Sequence, residues 1–293
     1  MGSRDDVLAG GGTGGTTSSP MAFPIPAEEL GTVSIVPNGS FEAGSYQTFV
    51  LTYVAGKFGI DDSGSMRVCF RFASDQTRPQ FEDPKGPNYT TIEASNNAVL
   101  TYHYDPKGNV RPWDRTLYIK VVRGFLREGD KITITFGDRS GGSPGMRLQT
   151  FCEDSYEFHT LIDPIATYCY QPMPVQPVIK IIPGKPDRYL AVAPTIRAID
   201  ESFSIKFKGE DKWGNPSDQC DIQLYPRASH PVKNLPNMIS LKPGEFFGVI
   251  EGLLVADAAD LHIDFLDDAG VVMCRTNPIR IEPAPLSRHF WGD

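Results

Sequence analysis

The sequence predicts an all-β protein of two tandem antiparallel β-sandwich (immunoglobulin-like) domains, and three observations carry that expectation. Short segments alternate apolar and polar residues with a period of two. Glycine (28) and proline (25) punctuate them at close intervals. No long stretch holds the period of an amphipathic helix. Strict alternation gives each strand one wet face, so the sheets are expected to be antiparallel and packed face to face.

Taken in order, residues 1–22 read as a flexible leader, "MGSRDDVLAGGGTGGTTSSP" being too rich in glycine and small polar residues to build a core. A first sandwich is expected over 23–172. "MRVCFRFA" (66–73) puts Met66, Val68, Phe70 and Phe72 on one face and Arg67, Cys69 and Arg71 on the other. "KITITF" (131–136) does the same with Ile132, Ile134 and Phe136, and "QTFVLTYV", "VLTYHY" and "TLYIKVV" supply further strands. Proline then crowds "QPMPVQPVIKIIPGKPD", which predicts a stiff linker over 173–187, with "VIKII" available as the opening strand of the next unit. A second Ig-like sandwich is expected over 188–284. "SFSIKF" (202–207) turns Phe203, Ile205 and Phe207 inward, Gly214-Asn215-Pro216 makes a turn, and "DLHIDFLDDAGVVMC" (260–274) forms a hairpin around Asp267–Gly270. The Cys…Trp…Cys core of antibody domains is absent. Residues 285–293 stand apart from both sandwiches.

Composition excludes several function classes. The net charge of −8 argues against nucleic acid, whose phosphates need a basic surface. No apolar run is long enough to span a bilayer, so no membrane partner is expected. The first residues lack the apolar core of a signal peptide, which favours the cytoplasm. Five cysteines (69, 152, 169, 220 and 274) without CxxC spacing argue against a zinc knuckle or a full disulfide framework. Small buried thiols in a reducing compartment are the favoured reading, and a Cys152–Cys169 bridge stays open.

The candidate chemistry is sparse. "FGDRSGGSPGMRLQTF" (136–151) offers Arg139, Ser140, Gly141, Gly142 and Arg147 as an anion-binding loop, through backbone N–H groups and two guanidinium groups. It lacks the Gly-Lys-Ser/Thr ending and the following helix of a phosphate loop. His103, His159 and His262 fall within strand-like alternation and read as solvent-side or interface residues, and Asp61-Asp62 and Asp267-Asp268 as turn acids. No Gly-x-Ser-x-Gly elbow and no Cys/His motif is present. The assignments are therefore no catalytic residue, no metal ligand and no cofactor in this chain. Trp113 and Trp213 would stack on sugar rings if exposed; the favoured alternative is that each plugs the end of its own sandwich.

Three segments carry a family resemblance: "DRSGGSPGMRLQTF" (138–151), "DKWGNP" (211–216) and "NPIRI…HFWGD" (277–293). Together they resemble a bacterial family over roughly residues 30–293. In that family an aromatic-Trp-Gly-Asp strand runs into a Leu-His metal motif, which opens a barrel similar to the PHP-type metallohydrolases. The resemblance implies a non-catalytic accessory region that positions or shields a metal-dependent hydrolase domain. The family's metal-binding histidines would begin after Asp293, so none maps onto a residue here. What it implies is a catalytic domain in cis beyond Asp293, with a divalent metal belonging to that domain alone. Phe290 and Trp291 would then dock to it, 285–293 being its first strand. A free-standing carbohydrate- or protein-binding module is the alternative. The sequence leaves substrate and oligomeric state open.

Overall fold

A computed structural model describes residues 24–284. Phe290 and Trp291 lie outside the described residues. The structure is all-β, with several antiparallel sheets in a sandwich-type arrangement and two hydrophobic cores.

The first core lies between a four-stranded and a five-stranded sheet. The four-stranded sheet runs in the order Gly31–Val36, Phe49–Ala55, Lys131–Phe136, Thr90–Ala94, every pair antiparallel. The five-stranded sheet runs Gln171–Pro172, His159–Asp163, Ser65–Phe70, Arg115–Arg123, Val99–Asp105, again antiparallel. The alternation read from the sequence decides what enters the core. Phe49, Leu51, Tyr53, Ile132, Ile134 and Phe136 face Met66, Val68, Phe70, Leu117, Ile119 and Val121. Phe158 is the hub, its ring centroid 5.6 Å from those of Phe49 and Phe70 and 5.8 Å from that of Phe136. Tyr53 sinks its ring among them and keeps its hydroxyl satisfied by donating to the Leu30 carbonyl at 2.8 Å.

The second core is wrapped by Arg188–Val192, Phe203–Glu210 and Gly248–Leu253, and by a four-stranded sheet of Ile239–Leu241, Ile222–Ala228, Ile263–Leu266 and Val272–Arg275. Phe203, Ile205 and Phe207 point inward as expected, against Ile263 and Phe265. The hairpin turn is built by Asp267, whose Oδ1 accepts from the N–H groups of Ala269 (3.0 Å) and Val271 (2.8 Å), with Gly270 at φ +80° completing it.

Three features depart from the sequence expectation. Val178–Ile182 ("VIKII") is not an opening strand of the second unit. It pairs antiparallel with Glu153–Glu157 and parallel with Ser40–Glu42, and it buries Ile179 and Ile181 in the first core. Its apolar alternation fixes that it is a strand but not which core receives it. Among the described residues two pairs of named strands are parallel, Val178–Ile182 with Ser40–Glu42 and Ile196–Ala198 with Ile279–Glu282, where the chain returns after a long connection and needs no tight turn. Phe72 falls beyond the end of its strand, where it is exposed with the Arg111 guanidinium 4.7 Å above its ring.

Candidate functional site at the junction of the two cores

The segment Asp211–Pro216 ("DKWGNP") follows the strand Phe203–Glu210 and turns back, with Gly214 at φ +90°. Asp211 is buried at its centre and acts as the turn's acceptor. Its Oδ1 takes the backbone N–H groups of Trp213 and Asn215, both at 2.9 Å. Its Oδ2 takes Asn215 Nδ2 at 2.9 Å and the Gly184 N–H at 3.1 Å. Burial alone would push this carboxyl up, but the bonds from Asn215, Gly184 and Trp213 more than offset it and hold the group below the usual carboxylate range. Ionised Asp211 therefore fixes the turn.

The turn's remaining side chains reach across to residues on the side of the first core. Trp213 Nε1 donates to the Ala43 carbonyl at 3.0 Å. Asn215 Nδ2 donates to the Thr150 carbonyl at 2.9 Å, and Asn215 Oδ1 accepts from the Cys152 N–H at 3.2 Å. Gly44, at φ +67°, lies directly beneath the indole: a Cβ there would come within 2.5 Å of Trp213 Nε1. Two more bonds tie the segment between the cores to the second one, from Ser217 Oγ to the Gly184 carbonyl (2.6 Å) and from Gln219 Nε2 to the Pro183 carbonyl (2.9 Å). Trp213 thus bridges two cores instead of plugging the end of its own. Beside it opens a cleft of about 430 Å³ lined by Glu42, Ser45, Lys185, Asp187, Lys212 and Trp213.

The predicted anion loop is held by internal bonds. The Asp138 carboxylate accepts from the Ser140 N–H and from Thr91 Oγ1, both at 2.9 Å, and the Gly142 N–H donates to the Arg139 carbonyl at 3.0 Å. The Ser140 N–H bond is the main reason the Asp138 carboxyl lies below its ordinary value. Arg139 Nη2 donates to the Tyr46 carbonyl at 2.8 Å, while Arg147 donates to the Asp75 carbonyl at 2.5 Å. Gly141 packs against Pro84, where a Cβ would meet that ring at 2.4 Å. Arg139 and Arg147 pin the loop onto Tyr46 and Asp75 and Asp138 pins it onto Thr91, while Ser140 and Gly142 close bonds within the loop itself.

The imidazoles are dispersed. His159 stacks on Trp113 with centroids 4.7 Å apart and planes at 13°, and its Nδ1 lies 2.6 Å from Glu157 Oε1. His103 packs on Tyr118 at 5.1 Å, and His262 Nε2 sits 4.0 Å from Asp264. Among the described residues no three His, Cys, Asp or Glu side chains group as metal ligands. All five cysteines are free thiols, Cys152 and Cys169 included. Among the described residues, no helix is long and apolar enough to cross a membrane.

No family model matches the chain, and no curated protein matches it in sequence. Solved structures that align with it include the Yersinia pseudotuberculosis adhesin InvE, at 9% identity and a TM-score of 0.26 over 86% of this chain and 58% of that one. A putative membrane anchored protein of Corynebacterium diphtheriae aligns at 11% identity and a TM-score of 0.25, over 86% and 53% of the two chains. Red sea bream transglutaminase aligns at 10% and 0.22, over 87% and 32%. The chain spans little more than half the length of the first two. Scores this low bear on neither function nor detailed topology.

Proposed function

We propose that this chain is a non-catalytic protein-binding module, two tandem Ig-like sandwiches held at a fixed mutual angle so that what they bind is held in place. The observation that carries the reading is the Asp211–Pro216 turn, which places a buried, ionised carboxylate, an indole and a carboxamide across the junction. A merely flexible tether has no use for such a joint. Protein binding is proposed over carbohydrate binding because the Trp213 indole, although 42% exposed, is engaged by Gly44, by the Ala43 carbonyl and by Lys212 Nζ 5.0 Å from its ring centroid.

The "HFWGD" resemblance favours a second reading, in which the bound protein is a PHP-like hydrolase domain in cis. The divalent metal would then belong to that domain, and Phe290 and Trp291 would dock there. Both readings leave this chain without chemistry of its own. Calorimetric titration of the purified chain with zinc and manganese tests that: no stoichiometric uptake is expected, and a site of micromolar or tighter affinity would overturn it.

A further inference from the structure

The outer face of the five-stranded sheet holds a guanidinium that lacks an acceptor. The strand registers set three side chains abreast there: Arg67 on Ser65–Phe70, Tyr118 on Arg115–Arg123 and His103 on Val99–Asp105. Ser65, Lys120 and Thr101 form the next row. Met66, Val68, Leu117 and Ile119 alternate with them and point into the first core. The Arg67 guanidinium lies over the Tyr170 ring, 3.7 Å from its centroid, and 5.8 Å from that of Tyr118. Tyr170 is itself tied down, its hydroxyl 2.6 Å from Ser65 Oγ. Two aromatic rings therefore hold the cation in place.

Among the described residues no carboxylate pairs with Arg67, and its Nε is buried without a hydrogen-bond partner. A buried donor left unbonded costs free energy, and such a group calls for an explanation. With Nε closed off, the two Nη groups are the end of the fork that a ligand can reach. Lys120, half-buried in the neighbouring row, also makes no ion pair among the described residues. The acids of this face are already engaged. Asp163 Oδ1 accepts from the Thr167 N–H (3.0 Å) and Oγ1 (2.9 Å), and its Oδ2 from the Tyr168 N–H (2.6 Å). Asp105, on the far strand, accepts from the Lys107 N–H at 2.8 Å, and Glu157 lies 2.6 Å from His159 Nδ1. A chain of net charge −8 thus presents two cations without a paired acid on one sheet face, the complement of an acidic partner.

We propose that Arg67 receives a carboxylate from an acidic segment of a partner protein, its two Nη groups donating to the two oxygens, while Lys120 meets a second acid and Tyr118 and Tyr170 pack against the segment. A planar fork held between aromatic rings matches a carboxylate as a lysine cannot. Arginine and tyrosine are also the side chains that dominate protein contacts. The occupant rests on the protein-binding reading, but the site takes no part in the joint. The joint is measured by the relative orientation of the two cores, so a failure here leaves it standing.

Titration of the full chain, labelled with nitrogen-15, with an end-blocked oligoglutamate peptide tests the proposal, the Nε–H signal of Arg67 being the reporter. A saturable shift of that signal is expected, and none with the glutamine counterpart of the peptide. Arg67→Lys keeps the charge, removes the fork and should weaken binding by about tenfold. Lys120→Gln should weaken it by about threefold, and it decides the matter if Arg67→Lys fails to fold. An Arg67 signal that the glutamate peptide leaves unmoved overturns the proposal, as does equal binding of the glutamine peptide. Affinity unchanged in both variants overturns it too. Inorganic phosphate is titrated in parallel: a shift with phosphate and none with the peptide marks a small-anion site and overturns the protein partner.

Discussion

The carboxylate of Asp211 is the residue on which the junction turns. Four donors converge on it, two from the backbone of its own turn, one from Asn215 and one from Gly184. Each hydrogen bond to a charged group contributes about 1.5–3 kcal/mol. Asp211→Asn keeps the shape but aims an amide donor at N–H groups, and should cost about 2 kcal/mol at neutral pH. The folded carboxyl lies below its unfolded value of about 3.9. Its stabilisation is therefore complete above that value and is lost as pH falls through the folded pKa. Urea unfolding from pH 7 downward should show the gap between wild type and Asp211→Asn closing only below about pH 4. A gap constant with pH would mean that the charge plays no part. The sequence showed Gly214-Asn215-Pro216 as a turn and Trp213 as its neighbour. It did not show that the indole meets Ala43, because that contact joins residues 170 positions apart and local pattern carries nothing about it. The odd signal was Trp213 itself, a large aromatic in a polar turn.

Strands were legible wherever alternation had a buried side to report. "KITITF" and "SFSIKF" form the strands Lys131–Phe136 and Phe203–Glu210 with the expected residues inward. Partnership was not legible. Val178–Ile182 alternates as well as any strand, yet its partners are Glu153–Glu157 and, from far earlier in the chain, Ser40–Glu42. The flanking prolines that made it look like a linker end the strand without deciding which core it serves. Ile181, 1% exposed, belongs to the first core. Ile181→Ala should cost about 2–5 kcal/mol. Native-state hydrogen exchange should show the loss in Phe49–Ala55 and Ser65–Phe70 while Phe203–Glu210 keeps its protection. Equal loss in Phe203–Glu210 with Val178–Ile182 unaffected would place the strand with the wrong core. The glycine-rich loop 136–151 was legible as irregular, but its bonds to Tyr46, Asp75 and Thr91 were not, since each ends on a residue distant in sequence.

Two cores joined through one short turn can behave as two bodies or as one. The joint offers three hydrogen bonds that link Trp213 and Asn215 with Ala43, Thr150 and Cys152, the last donated by the Cys152 N–H, and an indole seated on a glycine that admits no side chain. A positioning module needs these to hold in solution. Their long sequence separations also explain why the composition shift near the prolines suggested a boundary more clearly than it suggested a contact. Residual dipolar couplings of backbone amides in the weakly aligned protein test this most directly. One alignment tensor should fit the strands of both cores, and the double variant Trp213→Ala/Asn215→Ala should need two. Two different tensors already in the wild-type chain would show the sandwiches moving independently, and would contradict the joint and the function proposed from it.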